Sequence, residues 1–312
     1  MAGIPIPSTM MAVRLHPPGG VDGIRYEAIP TPTLGEDDVL VRVHAAAITR
    51  DELSWPVDRL PATPSYELSG TVVDDPAHVL EPGQEVYGLT DFSRDGVAAE
   101  FAAVSRTELS PKPHSLTHVE AAAVPLPALS AMQALFDHGR LAENERVLIH
   151  GGGGGVGSYA VQLAKWRRAH VIATASSNRV DTARSLGADE VIDHTTSDFT
   201  TIDPVDLVFD TGGGARLERS LQVLEPGGRL VSVAEAPPAA LCEKAGVDCD
   251  YFVVAPSPDQ LATLTRLADA GEIQTVVDES FPLSEAPRVF RRLQQHRGTG
   301  KLVFNLIERP RA

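Results

Sequence analysis

Cysteine is scarce in this chain: only Cys242 and Cys249 occur among 312 residues. Two cysteines make no disulfide framework and cannot by themselves supply a four-ligand structural zinc site. That scarcity fits a reducing compartment, so a cytoplasmic location is the expectation. No apolar run reaches the roughly 18 residues that would suggest a membrane helix, so no membrane span is expected. The opening Met1-Ala2-Gly3-Ile4-Pro5 lacks a basic patch followed by an apolar stretch, so no secretory leader is expected. Positive charge is also short, with 27 Lys and Arg against 42 Asp and Glu, a net charge of −15. Phosphate contacts need clustered cations, so no nucleic-acid partner is expected, and the acidity is read as solubility. There is no G-x-S-x-G elbow, and the serine of Leu129-Ser130-Ala131 has no evident base, which speaks against nucleophilic catalysis.

What remains is an ordinary globular composition, 43% hydrophobic and 22% charged, long enough for about two domains. Short β-branched runs punctuated by Pro, Gly and Asp fill residues 1–125: Asp38–Val43, Leu68–Val73, Gln84–Leu89 and Ala99–Val104. They predict a compact, largely antiparallel, barrel-like unit. Glu120–Gly139 is rich in Ala and Leu and reads as helix. Strands and helices then alternate. Strands are expected at Arg146–His150, His170–Ala175, Glu190–Ile192, Val205–Phe209, Arg229–Ala234 and Tyr251–Val254. Helices are expected over Gly155–Arg168, Asn178–Leu186 and Arg216–Leu224. Such alternation implies an α/β fold with a parallel, doubly wound Rossmann sheet, six strands from two mononucleotide-binding halves. A helix over Leu261–Ala270, a strand over Gln274–Asp278, a helix over Glu285–Gln295 and a strand over Lys301–Asn305 complete the pattern, without showing which sheet the tail joins.

Between the first of these strands and its helix lies Gly151–Gly155, then Val156 and Gly157. One register satisfies G-x-G-x-x-G: Gly152, Gly154 and Gly157. The motif carries weight because it follows a strand, opens a helix and sits in a βαβ unit. Glycines there permit a tight turn, close approach of a pyrophosphate and close helix–strand packing, and the helix start offers N–H groups and a positive dipole end. Gly155 and Val156 belong to the same expected phosphate contact. NAD binders usually place Asp or Glu about 20 residues on, at the end of the second strand. Here that position is Ala175, followed by Ser176-Ser177-Asn178-Arg179. Ser176 can donate to a 2′-phosphate and Arg179 can pair with it, so NADP(H) is the expected cofactor. The plainer readings are a helix cap for the serines and a solvated Arg179.

The order of features, from the β-rich segment through Ala122–Leu135 to Val147-Leu148-Ile149-His150 and Gly157, continues in three downstream phrases. These are Leu186-Gly187-Ala188-Asp189-Glu190-Val191-Ile192-Asp193, Asp206–Gly213 and Pro226-Gly227-Gly228-Arg229-Leu230-Val231. Together they resemble the medium-chain dehydrogenase/reductase superfamily, in its zinc-independent quinone oxidoreductase branch. The resemblance implies a GroES-like β-rich catalytic domain over 1–124, completed by 272–312, and a Rossmann NADP-binding domain over 125–271, with the nicotinamide in the cleft. It implies a homodimer formed through the edge strand near Tyr251–Val254. Cofactor contacts carried over by position are Ser130 near the nicotinamide phosphate, His194 beside the 2′-phosphate, and Thr211, Val233, Phe252 and Val254 on the nicotinamide side. Lys301 and Asn305 match late cleft-facing positions.

Zinc-dependent members have Cys near 49 and Gly-His-Glu near 65–67; this chain reads Thr49-Arg50 and Ser65-Tyr66-Glu67, and the four-cysteine lobe is missing. No metal is therefore expected. His114 and His118, spaced like a helical metal pair, are read as surface residues. The candidate catalytic residues are Thr49, Arg50 and Tyr66. The family usually carries Asn-Pro where Thr49-Arg50 stands. Arg50 either stabilises an oxyanion or binds an acidic substrate, or else pairs with Asp51 or Glu52. Tyr66 either donates a proton or packs. Glu67 is read as holding a loop, and Tyr87 and Phe92 as either pocket or core. The expected activity is hydride transfer from NADPH to a quinone or α,β-unsaturated carbonyl. The alternatives are an NADP-binding sensor, or a pathway-specific biosynthetic enzyme with altered or lost redox turnover.

Overall fold

A computed structural model of the chain describes residues 6–55, 58–295 and 300–307. Its backbone divides into two units, one made of Met1–Leu126, Pro256–Ala270 and Thr275–Ala312, the other of Pro127–Ala255 and Gly271–Gln274.

The first unit opens with β1 (Thr9–Leu15) and β2 (Ile24–Pro30), an antiparallel pair that the hydrophobic pattern had not signalled. β3 (Asp38–Ile48), β4 (Glu67–Asp74), β5 (Glu85–Leu89), β6 (Phe101–Ser105) and β7 (Leu109–Pro111) follow. β3 runs further than its β-branched start suggested because Ala45, Ala46, Ala47 and Ile48 continue it, all buried. Ala45 and Ala47 are small enough for the backbone of a short helix, α1 (His118–Ala122), to settle against them, with Ala122, Ala123 and Val303 completing that cluster. Thr117 and Glu120 cap α1 reciprocally, each side chain taking the other's backbone N–H.

Glu120–Gly139 is not one helix. α1 stops, α2 (Pro125–Met132) begins at a proline that needs no N–H partner, and Gln133–His138 widens into a π turn.

The second unit has the expected alternation: β8 (Arg146–His150), α3 (Gly155–Trp166), β9 (His170–Ala175), α4 (Val180–Ser185), β10 (Glu190–Asp193), β11 (Val205–Asp210), α5 (Ala215–Ser220), β12 (Leu224–Ser232), α6 (Ala239–Ala245) and β13 (Asp248–Tyr251). Its sheet is parallel throughout, in the order β10-β9-β8-β11-β12-β13. This is the doubly wound Rossmann arrangement. Leu148, Ile172, Val208 and Leu230 form its buried middle, as strands covered on both faces require.

The last strand of that sheet lies earlier than the apolar run Tyr251–Val254 suggested. Asp248–Tyr251 pairs with Arg229–Ser232. The segment after it is held by a side chain instead of a ladder: Gln133 Nε2 donates to the Ala255 carbonyl at 2.8 Å, and the Ala255 N–H donates to Gln133 Oε1 at 3.1 Å. Phe252 and Val254 are therefore buried loop residues, not strand residues. The two cysteines, too few for a disulfide framework and read as fitting a reducing compartment, form one bridge: the turn after α6 folds β13 back so that Cys242 and Cys249 are joined.

α7 (Pro258–Asp269), expected with the cofactor domain, clusters with the first unit, where Tyr87 donates its hydroxyl to the Leu261 carbonyl at 2.7 Å. β14 (Val277–Pro282), α8 (Ala286–Gln295) and β15 (Lys301–Asn305) complete that unit. β15 pairs in parallel with β14 and antiparallel with β3, giving a seven-strand sheet in which β6 also pairs with β3. Leu15, Val41, Leu68, Val86, Phe290 and Phe304 lie in its core. Among the described residues, no helix is long and apolar enough to cross a membrane.

Past the end of β4 the chain turns on one buried acid. The Asp75 carboxylate accepts the N–H groups of Ala77, Val79 and Leu80 at 3.1, 2.9 and 2.8 Å, with Arg106 Nε 3.8 Å away. Burial alone raises its pKa, but those N–H groups and Arg106 outweigh it, and the carboxyl sits below its ordinary range. A depressed acid stabilises the fold above its unfolded pKa and ceases to do so as pH falls through the folded value. Asp75→Ala is expected to cost about 1–3 kcal/mol in urea unfolding at neutral pH, and the gap to the wild type should close as the solution is made strongly acidic.

Candidate functional site

In the second unit, the glycine run has almost no room for side chains. A Cβ on Gly157 would stand 2.1 Å from the Gly151 carbonyl oxygen, and one on Gly152 would stand 2.6 Å from the Ala173 Cβ. The left-handed residue of the turn is Gly151, with φ of 77°, one place before the motif's first glycine. Gly152 therefore serves close packing on β9 and Gly151 serves the turn, a division the motif alone does not reveal. Gly154 is the N-cap of α3, and no side chain caps it. A Cβ on Gly155 would meet nothing within 4 Å, so the first turn of α3 starts in open space beside Val156. Uncapped N–H groups at a helix start, with backbone open to close approach, form an anion cradle.

Several expected residues lie around this turn. Arg179 is half-buried, and its Cβ would lie 2.7 Å from a Cβ on Gly153; its Nη1 would lie 3.7 Å from one on Gly154. Its N–H donates to the Ser176 carbonyl at 2.7 Å, folding the loop after β9 back over the glycines. Ser176 Oγ donates to Asn178 Oδ1 at 2.8 Å. His194 is exposed, and its N–H donates to the Ala175 carbonyl at 3.1 Å, so β10 delivers it beside the same loop. Asp193, paired in register with Ala175, has a carboxylate occupied by Thr195 N and Oγ1 at 2.9 and 2.6 Å. Thr211 donates its hydroxyl to the His150 carbonyl at 2.7 Å, directly under the turn. The Val233 N–H reaches the Asp210 carbonyl at 3.2 Å. Ser130 is buried on α2. Phe252 stacks on His138 with centroids 4.1 Å apart, and Val254 is buried two residues on. Thus Arg179 and Thr211 lie against the glycine turn, Ser176 and His194 border the loop after β9, and Phe252 is engaged with His138.

His150 was not singled out in the sequence. It is fully buried, its Nδ1 lying 3.1 Å from Thr174 Oγ1 and its Nε2 2.9 Å from Ser220 Oγ, with Phe199 edge-on. Burial drives its pKa down to about 3, so it acts as a neutral pin between β8, β9 and α5.

In the first unit, a polar cluster lies at the end of β3. Lys301 Nζ donates to Thr49 Oγ1 at 2.8 Å and forms an ion pair with Glu67. Glu67 also accepts the Leu126 N–H at 3.0 Å. Glu52 accepts the Thr49 N–H at 2.8 Å and the Ser65 N–H at 3.2 Å. Burial raises the Glu52 pKa to about 8, against those two bonds and Lys301, which lower it; the charge of Glu67 adds to the rise. Glu67 thus does more than hold a loop, for it anchors the lysine. Arg50 is exposed. Tyr66 is buried, its oxygen accepting from Arg59 Nη2 at 2.9 Å and its ring packed on Trp55 and Phe92 at 5.5 and 5.2 Å. Burial raises its pKa, with Arg59 opposing.

His118 is not a surface residue. Its side chain is 12% exposed, and its two nitrogens meet Ser69 Oγ at 2.8 Å and Glu85 at 3.1 Å, while His114 is exposed. The N-terminal position on α1 turns His118 onto β4, which the i, i+4 spacing with His114 does not disclose. Among the described residues, no group of three or more His, Cys, Asp and Glu side chains is placed to hold a metal ion.

The glycine geometry separates two substitutions. Gly157→Ala should lower stability by about 1–3 kcal/mol, because the helix must move off the Gly151 carbonyl. Gly155→Ala should be neutral or stabilising by up to about 1 kcal/mol. Thermal unfolding of the two variants side by side checks the contrast.

Comparison with known proteins agrees with this architecture. The family described as alcohol dehydrogenase GroES-like domain matches residues 35–114, and that described as zinc-binding dehydrogenase matches residues 186–304. A probable zinc-binding mitochondrial oxidoreductase of Arthroderma benhamiae is 31% identical, covering 97% of this chain and 98% of its own. A chloroplastic NADPH-dependent alkenal/one oxidoreductase of Arabidopsis thaliana is 33% identical, covering 96% of this chain and 80% of its own. The structure of a quinone oxidoreductase from Coxiella burnetii superposes with a TM-score of 0.88 at 28% identity, over 96% of this chain and 99% of the other. A parallel sheet of Rossmann order, a GroES-like β unit and relatives matched over four-fifths or more of their length leave one assignment: the chain belongs to the medium-chain dehydrogenase/reductase superfamily, in its quinone oxidoreductase and alkenal/one reductase-like branch.

Proposed function

We propose that this chain is a zinc-independent, NADPH-dependent reductase of quinones or α,β-unsaturated carbonyls. The observation that carries the reading is the glycine turn, closed to side chains at Gly152 and Gly157 and flanked by the guanidinium of Arg179. Such a cradle suits a dinucleotide diphosphate. β9 ends in Ala175 instead of an acid, and Ser176, Arg179 and His194 lie beside it, a donor set suited to a 2′-phosphate. The Arabidopsis and Coxiella relatives, named for alkenal/one and quinone chemistry, support this substrate class.

NADPH, when bound, supplies the hydride. The residues of the chain would do the rest. The amides of Gly155, Val156 and Gly157 would hold the diphosphate; Ser130, Thr211, Val233, Phe252 and Val254 would line the cofactor's remainder. Thr49, Arg50 and Tyr66 are the groups proposed to face the substrate carbonyl. The donor set of the zinc-dependent relatives is missing at Thr49 and Ser65-Tyr66-Glu67, so polarisation of that carbonyl falls to hydrogen bonds. The same reading makes the protein a homodimer joined at the outer strand β13, where Tyr251 and, just beyond it, Val253 are exposed.

Calorimetric titration is expected to show NADPH binding more tightly than NADH. Arg179→Ala should weaken NADPH by roughly 10–100-fold, the scale of one charge-assisted hydrogen bond, and leave NADH nearly unchanged. Consumption of NADPH should follow addition of members of a quinone and enone panel. Failure of every acceptor, or equal loss of both nucleotides in the variant, would count against the assignment.

A further inference from the structure

When hydride reaches the conjugated carbon of an enone, negative charge moves to the carbonyl oxygen, and a reductase without a metal must meet that charge with a hydrogen-bond donor. The first unit contains a hydroxyl whose surroundings suit it to that role. Thr49 Oγ1 accepts a hydrogen bond from Lys301 Nζ at 2.8 Å. An ammonium has three donors and no acceptor, so Lys301 cannot receive the Thr49 proton in return. The hydroxyl must offer that proton elsewhere, and among the described residues no acceptor for it is found. The backbone of Thr49 is fixed at the same time: its N–H is held by Glu52 at 2.8 Å, and its carbonyl takes the Glu52 N–H at 3.3 Å. Thr49 is half-buried, not sealed in the core.

The charge behind it is also fixed. Lys301 has a side chain only 11% exposed, and its counter-ion Glu67 is 1% exposed and tied to the Leu126 N–H. A buried ammonium held by one carboxylate loses orientational freedom and keeps its field, because little water screens it.

We propose that Thr49 is the oxyanion donor for the carbonyl substrate and that Lys301, held by Glu67, is its positioning residue, setting the direction of the Thr49 hydroxyl and lending it positive charge. The inference rests on the reductase reading above. In the step it would serve, NADPH, if bound, would supply the hydride for the new C–H bond at the β-carbon. The C=C electron pair moves to the adjoining C–C bond and the carbonyl pair to oxygen. The resulting enolate is held by the Thr49 O–H, which keeps its proton, and the α-carbon is protonated by water. The two electrons gained by the enone would be those that the bound nicotinamide gives up with its hydride.

An oxyanion donor binds oxyanions whether or not turnover occurs, so para-nitrophenolate serves as probe, its visible absorption reporting the ionised form. The full-length protein is titrated with and without NADP⁺. The wild type should bind the phenolate roughly tenfold or more tightly than Thr49→Val, the scale of a hydrogen bond to a charged group, with Thr49→Ser retaining most of the affinity. Lys301→Met alone strands Glu67 and risks unfolding, so the paired variant Lys301→Met with Glu67→Gln is used as well. It should show the same loss while its circular dichroism matches the wild type. In turnover, Thr49→Val should lower kcat about tenfold with KM little changed. Equal phenolate affinity in wild type and Thr49→Val, including no binding by either, overturns the proposal, as does an unchanged kcat in Thr49→Val. Absence of NADPH oxidation by every form would instead remove the reductase reading, and the phenolate contrast would then be judged by itself.

Discussion

The second unit depends on how closely two backbone segments approach: the Gly151 carbonyl and the start of α3 meet with no space for a side chain at Gly157. That contact sets the angle at which α3 leaves the sheet, and with it the direction of the N–H groups at Gly155 and Val156. It also brings the loop after β9 within reach, so that Arg179 packs on Gly153 and Gly154. A site that binds charge with backbone amides has little side-chain entropy to lose, and its geometry is fixed before any ligand arrives. His150, neutral and bonded to Thr174 and Ser220, keeps the strand end beneath the turn from drifting. The proposed cofactor cradle is thus a consequence of packing, and its chemistry follows from what packing leaves out.

The first unit works by the opposite means. Its polar cluster is built from side chains that begin far apart in the chain, Thr49 and Glu67 from one end and Lys301 from the other. Burying an ammonium and a carboxylate costs desolvation that their attraction only partly repays, so such a pair is weak evidence for stability. Its value is directional, because a lysine held at one end by Glu67 has few ways to present its remaining protons. Glu52 adds a second buried acid whose ionisation is disfavoured, so the cluster carries less negative charge than its composition suggests.

Much of this was legible in the residues because parallel strands covered on both faces must be apolar along their length. Val147–Ile149, Val171–Ala173 and Leu207–Phe209 announce themselves, and the glycines between β8 and α3 mark where side chains are forbidden. The errors have equally plain causes. Phe252–Val254 looked like a strand because it is apolar, but two aspartates take the ladder and Gln133 captures the apolar run instead. Cys242 and Cys249 are seven residues apart, a spacing that says nothing until the turn between α6 and β13 is known. The break in Glu120–Gly139 was visible in Pro125 and Pro127, though its π turn was not. Lys301 illustrates the deepest limit. Its partners lie some 250 residues away, and no local pattern reports a contact made only by the order of strands.

That strand order has a consequence for how the protein is made. β3 leaves the ribosome long before its neighbour β15. The GroES-like unit must wait, with an unpaired strand edge, while the Rossmann sheet, nearly all of whose residues are contiguous, gains its partners during synthesis. A nascent chain stalled before residue 301 would hold a nearly finished nucleotide fold beside an open β-sheet edge. That exposed edge is where chaperones would act and where aggregation would start.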